Sequence, residues 1–216
     1  VLRYEAGPDG GAGALDLMGR RLDFRLRLPG RHQAVNAAGV VAAAFAAGVD
    51  PEQALDALAG LEPVAGRGAS FEATLDSARA VTIIDESYNA NPASMAAALT
   101  SLSARTPKRG AKRIAVLGEM LELGPQSAAL HAELAGPVEA SGADLVIAVG
   151  EGARALADAL EGRVEALWAA DAARAAELLT SKAEDGDVVL IKGSNASGVH
   201  KVAASLKTAD ASAAEA

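Results

Sequence analysis

The stretch from Asp187 to Asn195, Asp-Val-Val-Leu-Ile-Lys-Gly-Ser-Asn, is a short apolar run that ends at a glycine and leads into a helical pattern over 196–207. Similar apolar runs at 113–117, 144–149 and 164–168 alternate with helical patterns over 92–104, 126–141, 151–160 and 171–183. Pro137 is expected to divide the second of these helices. Short apolar strands that alternate with longer helices are typical of a parallel sheet with helices on both faces. We therefore expect an α/β fold with a doubly wound, mostly parallel sheet.

The first third of the chain has a different pattern. Residues 21–28 alternate polar and apolar side chains, which predicts a half-buried strand, and glycines 7, 10, 11 and 13 predict a turn before it. An Ala-rich helix is predicted over 33–48, and a second from Asp50-Pro51 to about Gly60. Pro63–Gly68 has the composition of a linker, and strands at 70–75 and 80–85 follow as a hairpin or a crossing pair. The predicted divisions are 1–66, 67–208 and a frayed tail at 209–216.

Composition excludes several classes of protein. The chain has no cysteine, which excludes disulfides and thiol catalysis, and its three histidines lie far apart in sequence, so no metal site is expected. A net charge of −8 and few aromatic residues argue against a nucleic-acid partner. No apolar run approaches the roughly 20 residues of a membrane span, and no signal peptide opens the chain, so a cytoplasmic protein is expected. Because the chain begins at Val1 without a methionine, we expect a fragment.

Polar side chains follow four of the predicted strands. Ligands of open parallel sheets bind beyond the carboxyl ends of the strands, so these side chains are expected to converge on one rim. They are Asp85, Glu86, Ser87, Tyr88, Asn89 and Asn91 after the first strand, Glu119 and Glu151 after the next two, and Lys192, Ser194 and Asn195 after the last.

Each of these motifs has an ordinary structural interpretation beside the functional one. Gly193 lets a ligand approach the backbone and the following helix offers free N–H groups, yet Ser194 could simply cap that helix. Asp85 and Glu86 could hold a cation or a ribose hydroxyl, or could form a solvated acidic turn. No Gly-x-Gly-x-x-Gly sequence follows a strand, which argues against a dinucleotide site.

Two further motifs lie before residue 70. Gln33 and Asn36 are three residues apart, hence on one helix face, and an amide can read a base edge because it both donates and accepts. With His32 they could also form nothing more than the start of a helix. Arg67 could clamp a phosphate or be an ordinary surface charge.

Taken in order, these motifs resemble the Mur ligase family over roughly residues 20–207. The stretches that carry the resemblance are Leu28–Ala38, Pro63–Arg67, Ile84–Met95, Leu117–Gly124 and Lys192–Ser194. The resemblance implies the end of a central ATP-binding domain followed by a whole C-terminal Rossmann-like ligase domain. The P-loop sequence Gly-Lys-Thr or Gly-Lys-Ser does not occur here, so the P-loop lysine, the Mg²⁺ ligands and the UDP-sugar pocket are expected in a missing N-terminal part.

The resemblance also implies a reaction. It implies an ATP- and Mg²⁺-dependent ligase, acting as a monomer, that joins D-alanyl-D-alanine to UDP-N-acetylmuramoyl-tripeptide through an acyl phosphate. The implied catalytic residues are Arg67, Asp85, Glu86 and Lys192. The implied nucleotide-binding residues are His32, Gln33, Asn36 and Arg67. The implied substrate-binding residues are Tyr88, Asn89, Asn91, Glu119, Ser194 and Asn195.

The sequence departs from the family pattern at three of these positions. Gln33 stands where asparagine is usual, Glu86 where aspartate is usual, and Asn195 where arginine is often found. Which of Asp85 and Glu86 contacts the nucleotide is therefore left open. Two other functions remain as alternatives: a stand-alone, non-catalytic nucleotide- or small-molecule-binding α/β module, and a flavodoxin-like receiver. The receiver would need an aspartate after its third strand, where Gly150-Glu151 stands here.

Overall fold

The computed structural model of the chain describes residues 1–7 and 10–214, with side chains as far as Lys207. The chain divides into two units, Val1–Val64 and Ala65–Ala216. We describe each unit by itself. The boundary predicted from the sequence lies two residues further along the chain.

The N-terminal unit is an antiparallel sheet covered by two helices. The strands β1 (Arg3–Gly7), β2 (Gly10–Leu17) and β3 (Arg20–Leu26) lie in that order, and α1 (Arg31–Ala46) and α2 (Pro51–Ala59) follow. The alternation in β3 buries Leu22, Phe24 and Leu26, as predicted, against apolar residues of α1 and of Leu55 in α2. Asp50 caps α2 through the N–H groups of Glu52 and Gln53, with Pro51 at the first helical position.

The predicted turn at glycines 7, 10, 11 and 13 is wrong, because Gly10, Gly11 and Gly13 belong to strand β2 and Gly7 ends β1. The reason is close packing within the sheet. A Cβ atom at Gly13 would lie 2.1 Å from the carbonyl oxygen of Arg3, and one at Gly11 would lie 2.3 Å from the Tyr4 hydroxyl. Glycine is therefore used here for space between strands, and not for a turn.

The C-terminal unit is built on a six-stranded sheet. Its strands are β4 (Ala69–Thr74), β5 (Ala80–Glu86), β6 (Arg113–Gly118), β7 (Leu145–Val149), β8 (Glu165–Ala169) and β9 (Val188–Lys192), in the order β4-β5-β9-β6-β7-β8. β4 pairs antiparallel with β5, which makes this pair a hairpin, and every other pairing is parallel. The mostly parallel sheet predicted from the sequence is confirmed.

Helices cover both faces of this sheet. They are α3 (Pro92–Ser103), α4 (Ser127–Ala132), α5 (Ala135–Ser141), α6 (Arg154–Ala159), α7 (Ala172–Lys182) and α8 (His200–Ala214). Successive strand residues point to opposite faces, so Ile83 packs in one core with α7 and α8, whereas Ile84 packs in the other with α3, α5 and α6. The sheet is therefore doubly wound. Within the described residues, no helix is long and apolar enough to cross a membrane.

Three helix predictions need correction. The division of 126–141 falls between α4 and α5, not at Pro137, which is the third residue of α5 and needs no N–H partner there. The helix predicted over 151–160 begins only at Arg154. The helix predicted from 196 begins with a 3₁₀ turn at Asn195–Ser197, and α8 starts at His200. The predicted tail at 209–216 overlaps the end of α8, and its residues 215 and 216 lie outside the described part.

Candidate functional site

Four parallel strands of the C-terminal unit end side by side. Glu86 pairs with Lys192 at the ends of β5 and β9, Leu117 pairs with Lys192 across β6 and β9, and Gly118 pairs with Val149 at the ends of β6 and β7. The structure thus brings together the residues that follow these strands, as the sequence predicts. We call this edge of the sheet the strand-end rim, formed by residues 85–91, 118–122, 150–152 and 192–195.

Two opposite charges are buried in the middle of this rim. The Lys192 side chain is 4% exposed and its ammonium lies 3.9 Å from the Glu86 carboxylate, which is 14% exposed. The ammonium also donates hydrogen bonds to the backbone carbonyls of Asn89, at 2.9 Å, and Glu86, at 3.4 Å. Lys192 therefore holds the main chain of the loop after β5, in addition to offering a positive charge.

Burial changes the pKa of both charged groups. Desolvation raises the pKa of Glu86, and the nearby Asp85 adds to this, while Lys192 and Arg67 act in the opposite direction. Desolvation also lowers the pKa of Lys192, against the opposing effect of Glu86. Each group is thus more easily neutralised than an exposed one, which makes the pair a good place for proton exchange.

Asp85 is a different kind of carboxylate from its neighbour. It is 3% exposed and both of its oxygens are used inside the protein. One accepts from the Gly66 N–H at 3.0 Å, and the other accepts from the hydroxyl and the N–H of Ser87, at 2.5 and 3.3 Å. The Lys207 ammonium lies 3.6 Å away. These contacts fit a carboxylate that organises the chain around it.

Arg67 and Tyr88 lie against each other near this carboxylate. The Arg67 guanidinium carbon is 3.8 Å from the centre of the Tyr88 ring, a cation–π distance, and Tyr88 is 49% exposed. Arg67 itself is exposed. A positive charge is therefore presented to solvent on an aromatic support, where an anionic ligand could reach it.

The turn after β6 is fixed at three points. The Glu119 carboxylate accepts from the Gly152 N–H at 2.9 Å, and the Ser194 hydroxyl accepts from the Leu121 N–H at the same distance. Ser194 is buried, and its N–H donates to the Glu119 carbonyl at 3.1 Å. Glu119 and Ser194 thus join the ends of β6, β7 and β9.

The third point is His131, which sequence reasoning missed. His131 is 1% exposed, its Nε2 lies 2.8 Å from the Met120 N–H, and its Nδ1 lies 2.7 Å from the Ser127 carbonyl. This geometry fits a neutral ring that accepts at Nε2 and donates at Nδ1. A signal was present, because a lone histidine in an apolar helix one turn after Ser127 needs a polar partner if it is buried.

The three predicted asparagines have unequal surroundings. Asn91 caps α3: its side chain accepts from the Ser94 N–H, Ser94 returns a bond, and Pro92 follows, so the predicted cap is confirmed. The Asn89 side chain accepts from the Ala90 N–H, and its own carbonyl holds Lys192. Asn195 is exposed at the start of the 3₁₀ turn.

The other predicted nucleotide-binding residues lie in the N-terminal unit. His32, Gln33 and Asn36 occupy the first turns of α1, where Ala34 and Ala37 point into the core. His32 and Gln33 are half-buried, and Asn36 is exposed. In the part of the chain that the structure describes, no group of three or more His, Asp or Glu side chains could hold a metal ion.

Known proteins resemble this chain in sequence and in structure. The family described as "Mur ligase, glutamate ligase domain" matches residues 71–195. A UDP-N-acetylmuramoyl-tripeptide–D-alanyl-D-alanine ligase of Mycobacterium bovis is 34% identical over 208 residues, which is 87% of this chain and 40% of that protein. The chain thus spans less than half the length of that relative.

Two solved structures extend the comparison. MurF from Acinetobacter baumannii is 28% identical, with a TM-score of 0.77, and the match covers 94% of this chain and 43% of that one. MurF from Thermotoga maritima in complex with ADP has a TM-score of 0.73 and 23% identity, covers 96% of this chain and 45% of that one, and shows the shared fold alone. Since the family match covers more than half of the sequence and contains most of the strand-end rim, the chain belongs to the Mur ligase family.

Proposed function

We propose that this chain is part of an ATP-dependent ligase that adds D-alanyl-D-alanine to UDP-N-acetylmuramoyl-tripeptide in the synthesis of peptidoglycan precursors. The observation that carries the proposal is the buried Lys192–Glu86 pair at the strand-end rim, inside the segment that matches the family. The ligase of this specificity from Mycobacterium bovis is a relative over most of the chain. Residues 1–66 would then end a central ATP-binding domain, and 67–208 would form the C-terminal ligase domain.

The residues around the rim fit the phosphate and ribose groups of a nucleotide. Arg67 offers an exposed guanidinium, whose planar fork matches phosphate oxygens. ATP would supply the phosphoryl group that activates the tripeptide carboxylate as an acyl phosphate. His32, Gln33 and Asn36 of α1 are the proposed adenine-side residues. Mg²⁺ belongs to the proposed reaction, but we assign no ligand for it among the described residues.

Of the two neighbouring acids, we propose that Glu86 contacts the nucleotide and that Asp85 positions the chain. Both oxygens of Asp85 already accept hydrogen bonds from Gly66 and Ser87. Within the described residues we find no hydrogen bond to the carboxylate of Glu86, so it can accept one from a ribose hydroxyl. Its raised pKa also favours a role as a proton acceptor.

The same rim supplies the proposed contacts to the incoming dipeptide and to the acyl phosphate. Asn89, Asn91, Glu119, Ser194 and Asn195 are the proposed substrate-binding residues on this rim. A rigid turn at Glu119 and Ser194 would hold the reacting groups in fixed positions, which is the main requirement of a reaction without covalent enzyme chemistry. We propose a monomeric, cytoplasmic enzyme with no nucleic-acid partner.

The proposal is tested on the complete enzyme by measuring phosphate release from ATP. Release is expected only when both UDP-N-acetylmuramoyl-tripeptide and D-alanyl-D-alanine are present. Arg67→Ala is expected to lower turnover by about a hundredfold, the usual effect of losing one positioned donor. Arg109→Ala is the matched control, because Arg109 is an exposed arginine that precedes the opposite end of β6. Turnover that does not require the dipeptide would contradict the proposal and favour a binding-only module.

A further inference from the structure

Two short segments of the C-terminal unit are held together by three hydrogen bonds. The Gly66 N–H donates to the Asp85 carboxylate at 3.0 Å, and the Gly68 N–H donates to the Asp85 carbonyl at 2.9 Å. In return, the Tyr88 N–H donates to the Gly66 carbonyl at 3.0 Å. Arg67 lies between the two glycines that make these bonds. Its backbone is therefore fixed relative to the loop that carries Tyr88.

Gly66 makes this arrangement possible. Its φ is +76°, a conformation that favours glycine, and a Cβ atom there would lie 3.0 Å from the Tyr88 nitrogen and 3.1 Å from its Cβ. The two segments thus approach each other as closely as their backbones allow. The same approach places the Arg67 guanidinium over the Tyr88 ring, 3.8 Å from its centre.

We propose that Tyr88 is a positioning residue whose ring holds the Arg67 guanidinium in one orientation at the strand-end rim. This inference deepens the proposed function, because it rests on the phosphate contact assigned above to Arg67. An exposed arginine has many rotamers, and ordering it on binding costs conformational entropy. A ring face that attracts the cation restricts those rotamers before the ligand arrives. Tyr88 would then act through its ring face and not through its hydroxyl.

The stack itself is tested by NMR on the 216-residue chain, without any reaction. Protons above a ring face are shifted upfield, so the Arg67 side-chain signals are expected to move downfield in Tyr88→Leu and to stay upfield in Tyr88→Phe. Arg154, stacked on Trp168 at 4.0 Å in the same unit, is the internal control, and its signals should not move. Arg67 signals that are unchanged in Tyr88→Leu, beside an unchanged Arg154, would overturn the proposal.

The functional part is tested on the complete enzyme with a double-mutant cycle. Tyr88→Leu is expected to lower kcat by about two- to fivefold, the rate equivalent of an exposed cation–π contact, and Tyr88→Phe is expected to restore most of it. In an Arg67→Ala background the leucine substitution should have no further effect, because the supported group is absent. Effects that multiply, or a loss in Tyr88→Phe as large as in Tyr88→Leu, would show direct substrate contact and overturn the positioning role.

The two tests separate failure of the inference from failure of the proposed function. If the complete enzyme releases no phosphate in response to the dipeptide, the ligase proposal fails, and with it the functional arm of this inference. The NMR arm still decides whether Tyr88 orients Arg67. If instead the enzyme is active but the cycle is additive, the ligase proposal stands and only the positioning role is lost.

Discussion

Lys192 and Glu86 form a buried pair in which each charge depends on the other. Because burial raises the pKa of Glu86 above its ordinary value of 4.5, its protonated form contributes stability that is complete below that pH and is lost as the pH rises through the folded-state pKa. Lys192 has a lowered pKa, so the contribution of its neutral form is present above pH 10.5 and is lost as the pH falls through the folded-state pKa. At neutral pH the attraction between the two charges offsets part of both costs.

Removing the cation should therefore make stability depend on pH. Lys192→Met removes the attraction that lowers the pKa of Glu86, so the variant must either bury an unpaired carboxylate or protonate it. We expect the free energy of unfolding to fall by about 3 kcal/mol at pH 8 and by less at pH 5. Urea unfolding followed by the fluorescence of Trp168, the single tryptophan, measures this in the C-terminal unit.

The double variant Glu86→Gln/Lys192→Met is the control for this experiment. It also lacks the carboxylate, so it should recover part of the stability at pH 8, and its difference from the parent should vary little with pH. The hydrogen bonds of Lys192 to two carbonyls are lost in both variants. A Lys192→Met penalty of equal size at pH 5 and pH 8 would argue against an ionised Glu86 as the partner.

Sequence alone could place charged residues at the rim but could not divide their work. Asp85 and Glu86 are adjacent acids after one strand, and only the structure shows that Asp85 turns to Gly66 and Ser87 while Glu86 faces Lys192. Strand alternation could have predicted that they point opposite ways, but not which direction holds a partner. His131 was missed because its partner, the Met120 N–H, is a backbone group that no side-chain pattern reveals.

Helix α3 begins with a cap that depends on a residue also proposed to bind substrate. The Asn91 side chain accepts from the Ser94 N–H at 2.8 Å, and the Ser94 hydroxyl accepts from the Asn91 N–H at 3.0 Å. Asn91→Ala should lower the free energy of unfolding by about 1 kcal/mol, because the cap oxygen is lost. Asn91→Asp keeps that oxygen and should stay close to the parent. Trp168 fluorescence in urea measures both variants.

The same pair of variants separates the two roles of Asn91 in the complete enzyme. Aspartate retains the cap but replaces the amide donor with a negative charge. If the amide contacts substrate, Asn91→Asp should raise the KM for the dipeptide although stability is kept. An Asn91→Asp variant with unchanged KM would restrict Asn91 to the cap.

At the level of elements, the sequence predicted strands better than helix ends. The runs at 113–117, 144–149 and 187–192 are found as β6, β7 and β9 within one residue at each end, because buried parallel strands must be apolar throughout. Helix starts were less accurate where no cap marks them. α6 and α8 have no predicted cap, and they begin three and four residues late, whereas α3, with Asn91-Pro92, begins where predicted. The glycines of β2 were misread because close packing and a turn leave the same residue in the sequence.

The 216-residue chain as a whole is expected to have no ligase activity by itself. Its sequence lacks the Gly-Lys-Thr or Gly-Lys-Ser of a P-loop, and it spans 40% of the length of a curated relative. Phosphate binding to ATP in the proposed reaction therefore requires groups that this sequence does not contain. Incubation of the chain with ATP, UDP-N-acetylmuramoyl-tripeptide and D-alanyl-D-alanine, with mass spectrometry of the products, is the measurement. Formation of the ligated product by this chain alone would contradict the expectation.

The order of strands in the sheet has a consequence for the synthesis of the protein. β9, the last strand along the chain, lies between β5 and β6, so these two strands are not neighbours in the finished sheet. A nascent chain that has been translated only as far as β8 has no partner to place between them. Its half-sheets expose apolar edges until residues 188–192 leave the ribosome, and such edges are prone to pair with other chains. The C-terminal unit is therefore a domain whose central strand arrives last, and its yield in the cell should depend on chaperones that shield the gap during translation.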